Sequence, residues 1–469
     1  MRSALLGVVL LAVLGCLSSG GVLARAAPLK KPVQGATPPS VLLIVVDDLG
    51  KVDLPAMPNL QAWASSTALS FSHCYGWPTC SPTRVAYRVG RYPRTQPTIG
   101  GAGGIGDLPF NAYNPGGGEK LPLEAVTLFE AFLQTHDTRL VGKWHLGRAP
   151  LPAGMNRVAS GPEWQGVGIW TAGSVVVLPN GTGAQGYYQW QRVDGGDIEL
   201  STQYATDAQR EAFLEVWQAP RLRPLFVELS WSAIHSPYED PPGTHPPTTT
   251  TRATAEAMAA DLDQQLALVL AAIDLETTYV VIASDNGTND SARPVGLPSG
   301  FWKGSPYQGG VNTPLFVAGP GILPGVTDRI VSMVDLPATL LELAGTPAPP
   351  GAFPDSVSFA DELGPFTGAA PRSFAFTERY EVVTNATPHP LGYDCQAIVE
   401  VPSAIGGVPV RLKRIIQDAD GNGPGGFTDT VYNLLVDPNE AFGGVPFSSL
   451  PTAVRSRLDA ELASIPARL

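Results

Sequence analysis

VLLIVVDD, residues 41–48, is an unbroken apolar run that ends in two adjacent carboxylates. Six consecutive aliphatic residues suit a strand that is buried on both faces, as in parallel sheets covered by helices. A second run, TYVVIAS at 278–284, is likewise followed by polar residues, Asp285 and Asn286. Because ligands of open α/β sheets bind at the carboxyl ends of the strands, the two runs predict one sheet edge that carries both polar pairs.

The side chains at this edge indicate a cation site. Asp47 and Asp48 alone fit a turn or a helix cap equally well, because aspartate favours both. Two strands that deliver oxygen donors to the same edge favour a metal instead. Carboxylate and amide oxygens without a soft partner suit Ca²⁺, with Mg²⁺ as the alternative.

Between these strands lies a cysteine segment, CSPTRVAYRVGRYPRT at 80–95. A cysteine that stands alone is most often a small buried hydrophobe. This cysteine is followed at short spacing by Pro82 and Arg84, and three further motifs supply lysine and histidine: LVGKWHLG at 140–147, AIHSP at 233–237 and FWKGSPYQGG at 301–310. Cations and proton-transferring groups of this kind suit catalysis on an anionic ester, because they neutralise its charge.

The order and content of these motifs resemble the type I sulfatases, the arylsulfatase-like branch of the alkaline phosphatase superfamily. The resemblance covers about residues 40–465. It implies an α/β fold of the alkaline-phosphatase type, with a mixed, mostly parallel sheet between helices and a smaller C-terminal α+β domain. It also implies that a formylglycine-generating enzyme converts Cys80 to an aldehyde, whose hydrate hydrolyses sulfate monoesters.

The resemblance further implies a role for each motif residue. The implied catalytic residues are Cys80, Arg84, Lys143, His145, His235 and Lys303. The implied metal ligands are Asp47, Asp48, Asp285, Asn286 and an oxygen of the modified residue 80. In this scheme Lys143 and Lys303 bind sulfate, Arg84 orients the hydrate, His145 assists hydroxyl deprotonation, and His235, with Lys303, protonates the leaving alcohol. Alternation predicts that Lys143 and His145 share one face of an extended stretch.

Three residues depart from the family pattern. Gln308 stands where glutamate is common, Asn312 where arginine is common, and Arg88 where threonine is frequent. None of these positions contacts sulfate in the family pattern, so the departures concern substrate preference and loop packing.

The remaining sequence suggests how the chain is organised. We expect an export signal at 1–26, a proline-rich leader at 27–40, a catalytic domain at 41–365 and a C-terminal antiparallel-sheet subdomain at 366–469, with the boundary in the Gly/Ala/Pro-rich loop 364–371. A cleaved signal predicts a periplasmic or extracellular protein. The residues VLGC at 13–16 also fit a lipoprotein box, and membrane attachment is expected only if Cys16 is lipidated.

Local patterns add two predictions. Apolar residues at helical spacing predict helices within 257–274 and 329–345. Cys74 and Cys395 are candidate disulfide partners if the compartment is oxidising.

Composition limits the possible partners. A net charge of −12 argues against nucleic acid, which needs a basic face, so an anionic substrate must be bound by local cations. We favour a sulfated glycan over an aryl sulfate, since Gly- and Pro-rich loops and four tryptophans could form a sugar-stacking surface: Trp164, Trp170, Trp190 and Trp231. A phosphonate or phosphodiester hydrolase of the same superfamily and a non-catalytic sulfoglycan-binding protein remain the alternatives.

Overall fold

The computed structural model describes residues 37–95, 121, 124–146, 176–177, 183–184, 186–194, 197–244, 246–364, 372–379, 395–418 and 427–466. The predicted export signal, Cys16, Trp164 and Trp170 lie outside the described residues. Among the helices of the described part, none has the length and apolarity needed to cross a membrane.

The elements are numbered along the chain. The strands are β1 (Ser40–Val46), β2 (Leu69–Tyr75), β3 (Asp137–Gly142), β4 (Val176–Val177), β5 (Gly183–Ala184), β6 (Trp190–Asp194), β7 (Asp197–Ser201), β8 (Leu225–Trp231), β9 (Thr278–Ser284), β10 (Asn312–Thr313), β11 (Leu315–Ala318), β12 (Gly325–Ser332), β13 (Phe374–Arg379), β14 (Cys395–Glu400), β15 (Ser403–Ile405), β16 (Val408–Val410), β17 (Leu412–Asp418), β18 (Phe427–Asn433) and β19 (Val445–Pro446). The α-helices are α1 (Pro58–Thr67), α2 (Cys80–Val89), α3 (Leu128–Phe132), α4 (Ala205–Gln218), α5 (Thr251–Ala271), α6 (Gln308–Val311), α7 (Leu336–Leu343), α8 (Ala360–Leu363) and α9 (Thr452–Ala463).

The central sheet has the strand order β10-β2-β11-β9-β1-β8-β3, and β12 pairs with β2. The strand β1 lies between β8 and β9 and is parallel to both. Strand β3 continues the parallel arrangement beside β8, whereas β11 runs antiparallel to β9 and β2. The predicted mixed, mostly parallel sheet is therefore confirmed.

Alternating side chains of β1 explain why helices cover both faces of this sheet. Every residue of the strand is buried. Val41, Leu43 and Val45 belong to a core shared with α2, α3 and α7, whereas the intervening Leu42 and Ile44 pack in the core that contains α1, α4 and α5. Burial of each aliphatic side chain contributes about 1.5–3 kcal/mol to the stability of the fold. Because its side chains enter both cores, β1 is central to both.

A second, antiparallel sheet follows, with the order β13-β14-β17-β18-β19. Val454 and Leu458 of α9 pack against its Ile398 and Val431 in one apolar cluster. The smaller C-terminal domain with a sheet and a helix is thus confirmed. Residues 365–371, where the domain boundary was placed, lie outside the described residues, and the boundary stays a prediction.

One of the two predicted helices is partly wrong. Helix α5 covers most of 257–274, but Ile330 and Val331 in the other segment belong to β12 and pair with β2. The helix α7 begins only at Leu336. A short apolar run with β-branched residues fits either structure, and here pairing with β2 decides in favour of the strand.

The suggested disulfide is also absent from the described structure. No bond joins the buried thiols of Cys74 and Cys395. The Sγ of Cys74 lies 3.9 Å from Met333 Sδ.

The prediction that tryptophans form a sugar-stacking surface is wrong for the two of the four that the structure describes. Trp190 and Trp231 are only 1% and 0% exposed, and both belong to the core that contains α4 and α5. The Nε1 of each ring donates to a backbone carbonyl, that of Gln203 and that of Thr206. These rings stabilise the fold and do not form a sugar-stacking surface.

Candidate active site

Four parallel strands deliver the predicted side chains to one edge of the central sheet. Asp47 and Asp48 follow β1, Asp285 and Asn286 follow β9, Lys143 and His145 follow β3, and His235 follows β8. Cys80 reaches the same place as the first residue of α2, and Lys303 arrives from the loop between β9 and α6. The structure therefore brings all the sequence-predicted site residues together.

Cys80 lies at the centre of this cluster. Its Sγ is 3.3 Å from Asp47 Oδ1 and 3.3 Å from Lys303 Nζ. The residue is 3% exposed and begins a helix, whose N-terminus favours negative charge. Burial and the carboxylates of Asp285 and Asp47 raise the pKa of the Cys80 thiol well above its ordinary value.

Asp47 and Asp48 are fully buried and each is paired with a lysine. Lys143 Nζ lies 2.5 Å from Asp47 Oδ2, and Lys303 Nζ lies 2.6 Å from Asp48 Oδ1. Burial alone would raise the pKa of both carboxyl groups, but these cations and His235 outweigh it and lower the pKa of each. Both aspartates are therefore ionised at neutral pH.

Asp285 and Asn286 are tied to the same carboxylates. Asp285 Oδ1 accepts hydrogen bonds from the backbone N–H groups of Asp48, at 3.2 Å, and Asn286, at 2.9 Å. Asn286 Nδ2 donates to Asp48 Oδ1 at 2.7 Å. Arg84 Nη2 donates to Asp285 Oδ2 at 2.7 Å.

This donor set fits a hard divalent cation. Asp48 Oδ2 and Asn286 Oδ1 are buried and accept no hydrogen bond, which costs about 1–3 kcal/mol for each such atom unless a ligand compensates. Possible ligand atoms of Asp47, Asp48, Cys80 and His235 all lie within 4.8 Å of one another. Two of these four residues are carboxylates, and their oxygens together with the amide oxygen of Asn286 suit Ca²⁺ or Mg²⁺.

Arg84 links the helix of the nucleophile candidate to two strand ends. Its side chain is fully buried, and Nη1 donates to Ser230 Oγ at 2.6 Å and to the carbonyl of Lys143 at 3.2 Å. Together with its bond to Asp285, these contacts fix the guanidinium beside the carboxylates.

His145 is held in an unusual backbone conformation. Strand β3 ends at Gly142, where φ is +102° and a Cβ would overlap the Ser230 carbonyl, and the chain then turns so that His145 adopts φ of +59°. The predicted extended stretch is therefore wrong. Both ring nitrogens of His145 are buried without a hydrogen-bond partner, and burial followed by Lys143 and Arg84 lowers the pKa of the ring well below 6.5.

His235 is positioned by a residue that the sequence analysis missed. The hydroxyl of Tyr187 lies 2.7 Å from the Ser232 carbonyl and 2.9 Å from the His235 carbonyl. Burial and Lys303 lower the pKa of His235. Tyr187 lies far from any motif, so no sequence signal pointed to it.

The sequence analysis did not predict that Arg88 and Glu228 form an ion pair. Both side chains are fully buried, and Arg88 Nη2 lies 2.5 Å from Glu228 Oε1. A sequence signal did exist, because Glu228 interrupts the apolar run LFVELSW and a buried carboxylate needs a partner.

Gln308 and Asn312, the other two departures from the family pattern, belong to one polar network. Asn312 Oδ1 accepts a hydrogen bond from Lys51 Nζ at 2.8 Å, and its Nδ2 donates to Gln308 Oε1 at 2.8 Å. The two neutral side chains thus connect Lys51 to α6 and β10.

Comparison with known proteins gives a consistent result. A family model described as Sulfatase matches residues 39–346. The chain is 30% identical to human arylsulfatase A over 347 residues, which is 67% of this chain and 66% of that protein. It is 29% identical to dog N-acetylgalactosamine-6-sulfatase over 372 residues, 71% of this chain and 66% of that protein. The chain thus spans about two thirds of the length of these relatives.

A solved structure extends the likeness to the fold. The crystal structure of Ps i-CgsB in complex with k-i-k-neocarrahexaose superposes with a TM-score of 0.65 at 20% identity, over 91% of this chain and 92% of that one. This superposition includes the C-terminal part that the family model does not match. At this identity the likeness concerns the fold alone.

Proposed function

Because this chain belongs to the sulfatase family, we propose that it hydrolyses sulfate monoesters by means of a formylglycine formed from Cys80 and one divalent cation, Ca²⁺ or Mg²⁺. The observation that carries the proposal is the position of Cys80 Sγ. It lies at a helix N-terminus, 3.3 Å from both a buried carboxylate and a lysine ammonium. A formylglycine-generating enzyme is the implied modifying partner.

Formylglycine and the cation would supply the bond-breaking chemistry. Once oxidised and hydrated, residue 80 would offer one hydroxyl for attack on sulfur, with loss of the alcohol, and a second whose deprotonation would release sulfate and restore the aldehyde. Asp47, Asp48, Asp285, Asn286 and residue 80 would hold the cation, which would make the attacking hydroxyl more acidic.

The cationic side chains reduce the electrostatic repulsion between the nucleophile and the substrate. A sulfate ester is anionic, so an approaching nucleophile is repelled unless positive groups surround both. Lys303 is the group best placed to meet substrate, since its side chain is 14% exposed while that of Lys143 is fully enclosed. Arg84 fixes the orientation of residue 80 from within the helix.

The two histidines are suited to opposite proton transfers. The lowered pKa of His145 keeps the ring neutral, so the ring nitrogen that carries no hydrogen is able to accept a proton from the hydrate. The lowered pKa of His235 makes its protonated form a stronger acid toward the leaving alcohol. These assignments give one base and one acid at the same sheet edge.

For the substrate we favour a sulfated glycan. The support comes from relatives: one is named N-acetylgalactosamine-6-sulfatase, and the Ps i-CgsB structure contains a neocarrahexaose. Export to the periplasm or the outside is part of the proposal and rests on the apolar segment within 1–26.

The proposal is tested by turnover of nitrophenyl sulfate and nitrophenyl phosphate, together with peptide mass spectrometry across residue 80. We expect an aldehyde at residue 80, a faster reaction with the sulfate, and a loss of about 10⁴-fold or more in Cys80→Ala. Cys74→Ala, which also removes a buried thiol, is the matched control and should retain turnover. A faster phosphate reaction would indicate the phosphodiester hydrolase, and binding of sulfated glycan without any turnover would indicate the non-catalytic alternative.

A further inference from the structure

We propose that Arg88 and Glu228 form a buried clamp that positions the segment carrying Lys143 and His145, so that Arg88 is a positioning residue of the reaction. The inference rests on the proposed function, because that function assigns the roles of the positioned residues. It also gives the departure of Arg88 from the family pattern a physical role.

The clamp begins with a two-point ion pair. Arg88 Nε donates to Glu228 Oε2 at 3.0 Å, and Nη2 lies 2.5 Å from Glu228 Oε1. The hydroxyl of Tyr87 donates to the same Oε1 at 2.9 Å. Parallel contacts of this kind fix the plane of the guanidinium, because its donors form a rigid fork.

The fixed guanidinium then holds two consecutive carbonyls. Arg88 Nη2 donates to the carbonyl of Lys143 at 2.8 Å, and Nη1 donates to the carbonyl of Trp144. The guanidinium carbon also lies 4.5 Å from the centre of the Trp144 ring. Arg84 Nη1 donates to the same Lys143 carbonyl, at 3.2 Å. Both arginines of α2 therefore converge on one peptide of the functional segment.

The segment needs this support because it leaves the sheet at this point. The last ladder contact is the Lys143 N–H, which donates to the Ser230 carbonyl at 2.9 Å. Beyond it, His145 adopts the left-handed conformation, which is uncommon for a residue with a Cβ. Without the Arg88 donors, the carbonyls of Lys143 and Trp144 would lose buried partners immediately before that turn.

The spacing along α2 shows what the clamp achieves. Cys80, Arg84 and Arg88 are separated by four residues each, so they follow one face of the helix. The same face thus carries the nucleophile candidate at its start and the two anchors of the 143–145 segment behind it. The helix sets the distance between residue 80 and the side chains of Lys143 and His145.

The test uses three variants of the full chain. Arg88→Met/Glu228→Met removes the donors without leaving an unpaired buried charge. Arg88→Lys keeps the charge opposite Glu228 but lacks the planar fork. Arg372→Met breaks a buried pair with Asp335, 2.5 Å across, and serves as the control for a general loss of stability. For each variant, kcat and KM are measured with nitrophenyl sulfate and residue 80 is checked for the aldehyde.

We expect the double variant to lose about 30–100-fold in kcat with KM changed less than about threefold, since displacement of positioned groups by about 1 Å has effects of this size. Arg88→Lys should recover part of the loss, and Arg372→Met should keep the wild-type kcat. A double variant with kcat within about threefold of wild type, or a control that loses as much, would overturn the inference.

Hydrogen exchange separates this inference from the proposed function. Amides of residues 143–146 should exchange at least about tenfold faster in the double variant and in Arg88→Lys than in wild type, but not in Arg372→Met. This readout needs no turnover. If the wild-type protein fails to cleave sulfate esters, the proposed function fails while exchange still decides on the clamp; unchanged exchange in both Arg88 variants would refute the clamp.

Discussion

Two regions of this molecule bury an arginine against an aspartate. They differ in how many of their buried polar atoms lack a hydrogen-bond partner. At the junction with the second sheet, Arg372 Nε lies 2.9 Å from Asp335 Oδ2, Nη1 donates to the Tyr92 hydroxyl at 2.9 Å, and Nη2 donates to the Asp355 carbonyl at 2.8 Å. The Asp335 carboxylate also accepts the Ser332 N–H, at 2.9 Å. The donors of Arg372 and both oxygens of Asp335 thus have partners.

At the edge of the central sheet the pairing is incomplete. Arg84 is bonded to Asp285, yet its Nε has no partner, and neither do Asp48 Oδ2, Asn286 Oδ1 or the ring nitrogens of His145. A completed network of charges stabilises the fold, whereas unpaired buried atoms among charges favour a ligand. Both regions contain buried ion pairs, so it is the group of unsatisfied atoms around Arg84 that distinguishes this edge from the Arg372 junction.

The largest effect that would test this comparison is expected from Asp48→Asn. The substitution removes one charge from the proposed cation ligands and leaves Lys303 without its carboxylate partner, so kcat/KM should fall about 10³-fold. We expect added Ca²⁺ to raise the Tm of the wild-type protein and to leave the Tm of Asp48→Asn unchanged. Asp335→Asn is the control and should keep the Ca²⁺ response. A full Ca²⁺ response in Asp48→Asn would refute the assignment of this edge as the cation site.

The next effect concerns stability alone. Arg372→Met leaves the Asp335 carboxylate buried without its cation, which should lower the free energy of unfolding by about 3–5 kcal/mol in urea titrations. The kcat/KM of the folded fraction should stay within about twofold of wild type. A large fall in kcat/KM in protein that is still folded would show that the junction does not act as a purely structural pair.

The smallest effect is expected at an unpaired carboxylate outside the site. Asp261 Oδ2 on α5 has no hydrogen-bond partner, and burial together with Asp207 raises the pKa of Asp261 from 3.8 to about 6. The native state therefore holds the proton more tightly than the unfolded state, so stability is lost as the pH rises through this window.

Asp261→Asn should remove that loss. After allowance for solvent screening at this half-buried position, we expect a gain of about 1 kcal/mol, or about 1–2 °C in Tm, at pH 7. At pH 4 the gain should be only a small part of that at pH 7, because the native carboxyl is then almost fully protonated and the unfolded one, with a pKa of 3.8, is partly protonated. Equal Tm values for variant and wild type at both pH values would contradict the reasoning.

The sequence predicts the edge of the sheet well because its signals are local. The run Val41–Val46 fixes a doubly buried strand, and whatever follows it must lie at the carboxyl edge. The family resemblance then supplied the partners of Cys80, and the structure brings them within contact distance.

What escaped prediction depends on contacts between distant parts of the chain. The bond between Arg88 and Glu228 joins residues 140 positions apart, and the turn at His145 is set by its neighbours in space. The segment at 330–331 fits a helix by spacing but becomes a strand because β2 offers it a partner. Periodicity alone does not contain this information.

The pairing of β2 has a consequence for the order of events during synthesis. The partners of β2 are β10, β11 and β12, which leave the ribosome more than 200 residues after Cys80. Until then β2, the strand that precedes residue 80, lacks the strands it pairs with, whereas in the finished protein the thiol is 3% exposed. An enzyme that oxidises this thiol, as proposed above, would therefore reach it most readily while the chain is still being synthesised, before the late strands pair with β2.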